Sequence, residues 1–292
     1  MAWQQLTLHV PREKVAEIES TLELAGASSI ALEDAGETPL FEPEPGETPL
    51  WPSVSITALF DQDSDIGAVS RMLQAALGGK QELRVETLGE AEVLAGALGG
   101  FPPQRLGGRL WLLSADDAPP SDGVPALRLN RGLAFGTGEH PTTALCLDWL
   151  VSSLEPGTVV LDYGCGSGIL ALAALQLGAV RAFAIDNDPQ ALTATEANAA
   201  LNGLSDKIWI GPPEALPAVR TDVVLANILA RPLTQLSGAF HARLVTGGRA
   251  VLSGVLASQR ADVERAYAPG FTIDRVAERD GWLRLDTTKR GP

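Results

Sequence analysis

VVLDYGCGSGIL, residues 159–170, runs an apolar strand into three alternating glycines and then into a helix. Gly164, Gly166 and Gly168 permit a tight turn and a close approach of backbone to a ligand, just outside the carboxyl end of the first strand of an open α/β sheet. A dinucleotide fingerprint spaces its glycines G-x-G-x-x-G and faces a helix N-terminus to a pyrophosphate. Here the spacing is G-x-G-x-G, and Asp162 precedes it. A carboxylate at that place repels a diphosphate, yet it can hold the cationic ammonium end of an amino-acid-like ligand. A dehydrogenase reading is thereby disfavoured.

Downstream the chain alternates strand and helix periods to its end, the mark of βαβ units and a mostly parallel sheet. The expected strands are TVVLDY, VRAFAID, KIWIG, TDVVLAN, RAVLSG, FTIDRVA and WLRLDT, with helices starting near Ile169, Pro189, Pro232 and Gln259. Asp186 closes the second strand, about one βα unit after the glycines, where a carboxylate can accept hydrogen bonds from both hydroxyls of a ribose. A capping role is its other reading; Asp188, followed by Pro189, is better explained as an N-cap. Asn227-Ile228-Leu229-Ala230 ends the fourth strand at the same ligand edge, so the Asn227 amide can accept a hydrogen bond from an amine and aim its lone pair. Its bland reading is a turn asparagine.

Upstream, LRLNRGLAFGTGEHPTTALCLDWL (127–150) sets a glycine-bearing loop before an amphipathic helix starting near Pro141. His140, Thr142 and Thr143 cluster at its N-terminus, where a ligand carboxylate or hydroxyl could be met. Capping accounts for one of these residues and not for all three. His140 is a candidate general base, although a lone histidine in a capping segment is more often structural. Cys165, with no histidine or second cysteine beside it, reads as a small packing residue.

The first ninety residues follow the order strand, helix, strand, strand, helix, strand, the split βαβ or ferredoxin-like α+β plan. Residues 91–125 are dense in Gly and Pro and read as a linker around one short strand, RLWLL. The expected domains are therefore 1–90, a linker at 91–125, and 126–292. With 292 residues, 45% hydrophobic and 20% charged, the composition is that of a soluble globular protein. The start MAWQQLTLHVPREK has no basic run followed by an apolar core, and no apolar run is long enough to span a bilayer, so a cytoplasmic protein is expected. Two cysteines, Cys146 and Cys165, make no disulfide framework and have no metal-ligand spacing; no metal is expected. The net charge of −14 is unevenly spread: residues 1–125 carry 7 basic and 20 acidic side chains, residues 126–292 carry 15 and 16. Such a front half repels nucleic acid and attracts a basic partner, or serves solubility alone.

DYGCGSGIL, AIDNDPQAL, LANILA and above all GLAFGTGEHPTT resemble the bacterial ribosomal protein L11 methyltransferases, the PrmA family, and the similarity spans nearly the whole chain. The resemblance implies a ferredoxin-like substrate-recognition domain joined to a Rossmann-like, seven-stranded methyltransferase domain that uses S-adenosylmethionine. It implies methylation of lysine ε-amines and an N-terminal α-amine on a basic ribosomal protein of the large subunit. Thr143, Gly164, Asp186 and Asn227 match cofactor-binding positions of the family; Asp162 and Gly166 join them from the residue reading. Asn227 is the candidate catalytic residue, and Phe135, His140 and Leu229 are the candidate lining of the amine pocket. Ala230 stands where many amino-methylating enzymes carry an aromatic residue, and a small side chain there is expected to leave room for a flexible alkylamine. One departure is AEVLAGALGGFPPQRLGG, where the family has a stretch rich in tryptophan and charge. A nucleic-acid methyltransferase, and a cofactor-binding regulator without catalysis, are the rival readings.

Overall fold

The structure, a computed structural model, describes residues 2–35, 51–79, 83–89, 101–130 and 140–291. Phe135, most of the glycine-bearing loop and most of the altered stretch at 91–108 lie outside these residues. The chain divides into two compact units, 1–98 and 99–292.

In the first unit, β1 (Ala2–Pro11), α1 (Val15–Leu24), β2 (Ser29–Asp34), β3 (Ser53–Asp61), α2 (Ile66–Leu77) and β4 (Arg84–Gly89) follow one another. The sheet order is β2-β3-β1-β4, antiparallel throughout. Period-two alternation puts Leu6, Leu8 and Val10 of β1 on one face with Val54, Ile56 and Phe60 of β3, against Ile18 and Leu22 of α1 and Leu73 of α2. Asp65 caps α2 by accepting from the Ala68 N–H at 2.9 Å, and Gly78 ends it in the left-handed region at φ 72°. This is the ferredoxin-like plan.

The second unit carries a small sheet of β5 (Gln104–Leu106), β6 (Leu110–Ser114) and β7 (Ala126–Leu129). It then alternates α3 (Pro141–Ser153), β8 (Val159–Tyr163), α4 (Ile169–Gln176), β9 (Arg181–Ile185), α5 (Pro189–Leu201) and β10 (Ile208–Gly211). After β10 come β11 (Thr221–Asn227), α6 (Ala230–Arg243), β12 (Leu244–Leu256), α7 (Arg260–Tyr267), β13 (Phe271–Arg279) and β14 (Trp282–Lys289). The large sheet is seven-stranded, ordered β10-β9-β8-β11-β12-β14-β13, parallel except for β14. Successive residues of its central strands feed opposite cores: Val160 packs with α3, α4 and α5, whereas Leu161 packs with α6 and α7. The strand order turns back on itself at β8, whose neighbours are β9 on one side and β11 on the other. That is the topological switch point, outside whose carboxyl ends open α/β sheets bind ligands.

Residues 101–125, within the stretch expected to be linker, hold β5 and β6 in addition to connecting turns. Phe101, Leu110 and Leu112 are buried in the same core as α3 and α4. Gly and Pro density signalled turns correctly, but the turns here are spaced by three short strands in all, counting β7, whose alternate side chains face that core.

Candidate active site

β8 delivers its apolar residues to the interior and stops at Tyr163; the chain then turns through Gly164, Gly166 and Gly168 at φ 78°, 55° and 78°. Side chains rarely adopt these angles. The turn is tied down from the next strand, where the Ile185 carbonyl accepts from the N–H groups of Gly164 and Cys165 at 2.8 and 3.0 Å. At Gly164 a Cβ would lie 2.4 Å from Cγ2 of Ile228, so the space over this glycine is closed on one side by the loop after β11.

Asp186 follows β9 directly. Its Oδ2 accepts from the Gly166 N–H and its Oδ1 from the Asp188 N–H, both at 3.0 Å. The carboxylate is thereby held in one orientation against the glycine turn. Asp188 is the N-cap of α5, accepting from Gln190 at 2.8 Å, with Pro189 in the first turn. Gly164, Gly166, Asp186 and Leu229 line one cleft of about 480 Å³ at the switch point, together with Asn187 and Pro213. Leu229 is 47% exposed at its rim.

Asp162 is 1% exposed. Its Oδ2 accepts from the Ala171 N–H at 3.0 Å, in the first turn of α4, while its Oδ1 is buried with no hydrogen-bond partner among the described residues. Burial, reinforced by the Asp186 carboxylate and opposed by the Ala171 N–H, pushes its pKa up to about 7. A buried, half-satisfied carboxylate beneath a glycine turn is chemically suited to receive a cation.

A second group of the expected residues gathers at the N-terminus of α3, outside the lining of that cleft. Thr143, 1% exposed, accepts at Oγ1 from Nδ2 of Asn227 at 3.1 Å, across 84 residues of sequence. The contact engages the Asn227 amide nitrogen and leaves its oxygen as the acceptor. His140 is the N-cap: its Nδ1 lies 2.7 Å from Oγ1 of Thr142 and packs edge-on to Trp282, centroids 5.2 Å apart. Burial lowers its pKa, disfavouring the charged ring. These contacts account for His140 as a cap.

Ala230 departs from expectation. It opens α6, is 5% exposed, and packs in the core with Leu233 and Phe240, so it creates no room at the edge; Ile228 and Leu229 face the cleft instead. Cys165 sits 3.4 Å from Thr195 Oγ1, and burial raises its pKa, which keeps the thiol protonated.

Several residues of the site were not anticipated. Asn187 and Pro213 extend the cleft beyond Asp186; the pair of prolines after KIWIG was the available signal. Gly254, at φ 82°, has the Ile228 carbonyl only 2.2 Å from where its Cβ would be, so the end of β12 supports the loop over the glycine turn. A glycine ending the apolar run RAVLSG marked it. Trp282 reaches His140 only because β14 runs antiparallel and begins at the ligand edge.

A family model described as ribosomal protein L11 methyltransferase (PrmA) matches residues 2–290. The chain belongs to the ribosomal protein L11 methyltransferase family. A relative of that name from Azotobacter vinelandii is 43% identical over 292 residues, covering 99% of this chain and 100% of its own. One from Klebsiella pneumoniae is likewise 43% identical, with coverage of 99% and 100%. The solved structure of a ribosomal protein L11 methylase from Lactobacillus delbrueckii subsp. bulgaricus superimposes with a TM-score of 0.59 at 32% identity, over 65% of this chain and 100% of that one. Members of the ribosomal protein L11 methyltransferase family are S-adenosylmethionine-dependent enzymes, and this chain is one of them. The residues fit that cofactor: the glycine turn is open to backbone contact, the Asp186 carboxylate is fixed beside it, and the unpartnered Asp162 oxygen suits an amino-acid ammonium group. Among the described residues no helix is long and apolar enough to cross a membrane.

Proposed function

We propose that this enzyme transfers methyl groups from S-adenosylmethionine to the lysine ε-amines and the N-terminal α-amine of ribosomal protein L11. The observation that carries the proposal is the fixed Asp186 carboxylate beside an open glycine turn, next to a paired Asn227 and Thr143 on the same sheet edge. In this reading Gly164 and Gly166 meet the cofactor through backbone, Asp186 takes the ribose hydroxyls, and Asp162 balances the ammonium charge. Thr143 and Asn227 complete the cofactor end nearest the amine.

The bound cofactor supplies an electrophilic methyl group on a sulfonium sulfur. The protein must present a neutral amine in line with it, about 3 Å away, and keep water out. A free lysine is protonated, with a pKa of about 10.4. Desolvation in the cleft disfavours the ammonium form, so the amine would give its proton to solvent water on entering and no strong protein base is required. His140, engaged as a helix cap, agrees with that economy. Asn227, its donor end held by Thr143, orients the amine with its acceptor end, while Leu229 and His140 wall the amine pocket.

Residues 1–90 are the substrate-recognition part and 126–292 the methyl-transfer part, with β5 and β6 of the 91–125 stretch attached to the latter. The acidic excess of the front half supports a basic protein partner over nucleic acid. The cytoplasm, where ribosomal proteins are made, is the proposed location. Incubation with methyl-labelled cofactor and a mixture of purified ribosomal proteins and ribosomal RNA tests all of this. Label confined to L11 is expected, and mass spectrometry then gives the amines and the number of methyls; label in RNA, or none, overturns the proposal.

A further inference from the structure

One buried stripe on α5 is unused by the chemistry above. Thr195 and Asn198 of α5 and the half-buried Asn202 at its C-cap, spaced three and four residues apart, lie on one side of the helix. Thr195 and Asn198 are fully buried. Thr195 donates from Oγ1 to the Gly166 carbonyl at 2.9 Å. Asn198 donates from Nδ2 to the Ser167 carbonyl at 2.9 Å and accepts at Oδ1 from the Asn130 N–H at 2.8 Å. Asn202 accepts from the Arg128 N–H at 2.8 Å and donates to the Arg128 carbonyl at 2.6 Å, pairing with β7 as a neighbouring strand would.

The stripe therefore joins two segments that no backbone ladder connects. One is the glycine turn. The other is the end of β7, where Asn130 opens the stretch 131–139 that leads to His140 and Thr143. Among the described residues Asn202 reaches β7 and the Asn198 carbonyl of its own helix but not the glycine turn, and Thr195 reaches the glycine turn but not β7. Asn198 alone of the three holds both, with a different end of the same amide on each. A planar amide whose two ends are both engaged cannot shift toward one partner without straining the bond to the other.

We propose that Asn198 is a positioning residue that makes occupancy of the glycine turn and the placement of Asn130 mutually dependent, so that binding of the cofactor is felt at the root of the 131–139 segment. The proposal rests on the reading that Gly164–Gly168 holds the cofactor. That reading has its own control: Gly164→Ala, which drives a Cβ into Ile228, should abolish binding of S-adenosylhomocysteine to an otherwise folded protein. Retained binding there would remove the cradle, whatever Asn198 does.

The test compares Asn198→Ala with Asn202→Ala in the full chain. Both lose buried or half-buried hydrogen bonds and both should melt lower. Leaving the Ser167 carbonyl without its donor should weaken S-adenosylhomocysteine binding about tenfold in Asn198→Ala, the size expected when a buried partner is orphaned. Asn202→Ala should leave that Kd within about twofold, because it does not touch the glycine turn. Asn198→Asp, which keeps the acceptor for Asn130 and loses the donor to Ser167, should behave as Asn198→Ala does toward the cofactor. Amide hydrogen exchange supplies the readout that a merely structural role would not move. In the wild-type protein, exchange at Asn130 should slow when S-adenosylhomocysteine is added; in Asn198→Ala it should be fast with or without it. Equal melting losses with unchanged Kd in both alanine variants overturn the proposal, as does wild-type exchange at Asn130 that ignores the ligand, a measurement that needs no variant to fold.

Discussion

Asp162 and Asn227 show how single side chains acquire chemistry from their surroundings. The Asp162 carboxyl has its pKa raised from 3.8 to about 7 by burial. At this group the native protein therefore binds more protons than the unfolded chain between those values, so its contribution to stability without ligand is fully present below about pH 4 and is lost as pH rises through about 7. Asp162→Asn should cancel this fall. In thermal unfolding without cofactor, the melting advantage of the variant should grow from pH 4 to pH 7 and then level off, while its affinity for S-adenosylmethionine at pH 8 should drop. A constant difference across that range would mean that the carboxylate is neutralised by other means. For Asn227→Ala, the expected loss is mainly in kcat, by about a hundredfold, the scale of a misplaced reacting group, with a much smaller change in cofactor Kd. Single-turnover kinetics and calorimetry on the same preparation separate the two; unchanged turnover removes the orienting role. That Asn227 stands at a ligand edge is legible from TDVVLAN alone. That its partner is Thr143, 84 residues away, is not.

At the scale of elements, α3 carries Thr143 and His140 to the edge and must be held there. One polar side chain under it is Arg284 of β14, which forms a two-pronged pair with Asp286, 2.6 and 3.0 Å, and donates to the Leu145 carbonyl of α3. Both residues are buried. Removing one partner leaves a buried charge uncompensated, so Asp286→Ala should cost about 3–5 kcal/mol, and replacing both with apolar residues of similar volume should cost much less. Chemical denaturation of the single and double variants checks this; equal losses would show that the pair, and not the stranded arginine, sets the cost. WLRLDT reads as a strand from its alternation. Nothing in it announces that Arg284 points inward, because the choice depends on α3 offering a carbonyl at that place. In the same way RLWLL was legible as a strand, whereas its two companions, three and four residues long, are too short for a period to register.

For the whole molecule, charge is the feature that composition alone supplies. Residues 1–98 form one compact unit and carry 5 basic and 17 acidic side chains. If this field steers a basic substrate, the KM for L11 should rise steeply as ionic strength goes from 0.05 to about 0.3 M, where the screening length falls below about 10 Å. The cofactor Kd, set inside the cleft, should change little over the same range. Parallel titrations in salt check both, and a flat KM would assign the acidic excess to solubility.

Local pattern settled the class of fold, the order of elements in the first unit and in the large sheet, and the sheet edge at which the candidate site lies, since periodicity, glycine spacing and strand-terminal acids are written within short windows. Only the folded chain decided which polar groups share a hydrogen bond, that Ala230 belongs to the core, and that the β5–β7 strands join the second unit. Those outcomes depend on side chains far apart in sequence competing for the same buried space, where each polar atom must find a partner that no neighbouring residue supplies.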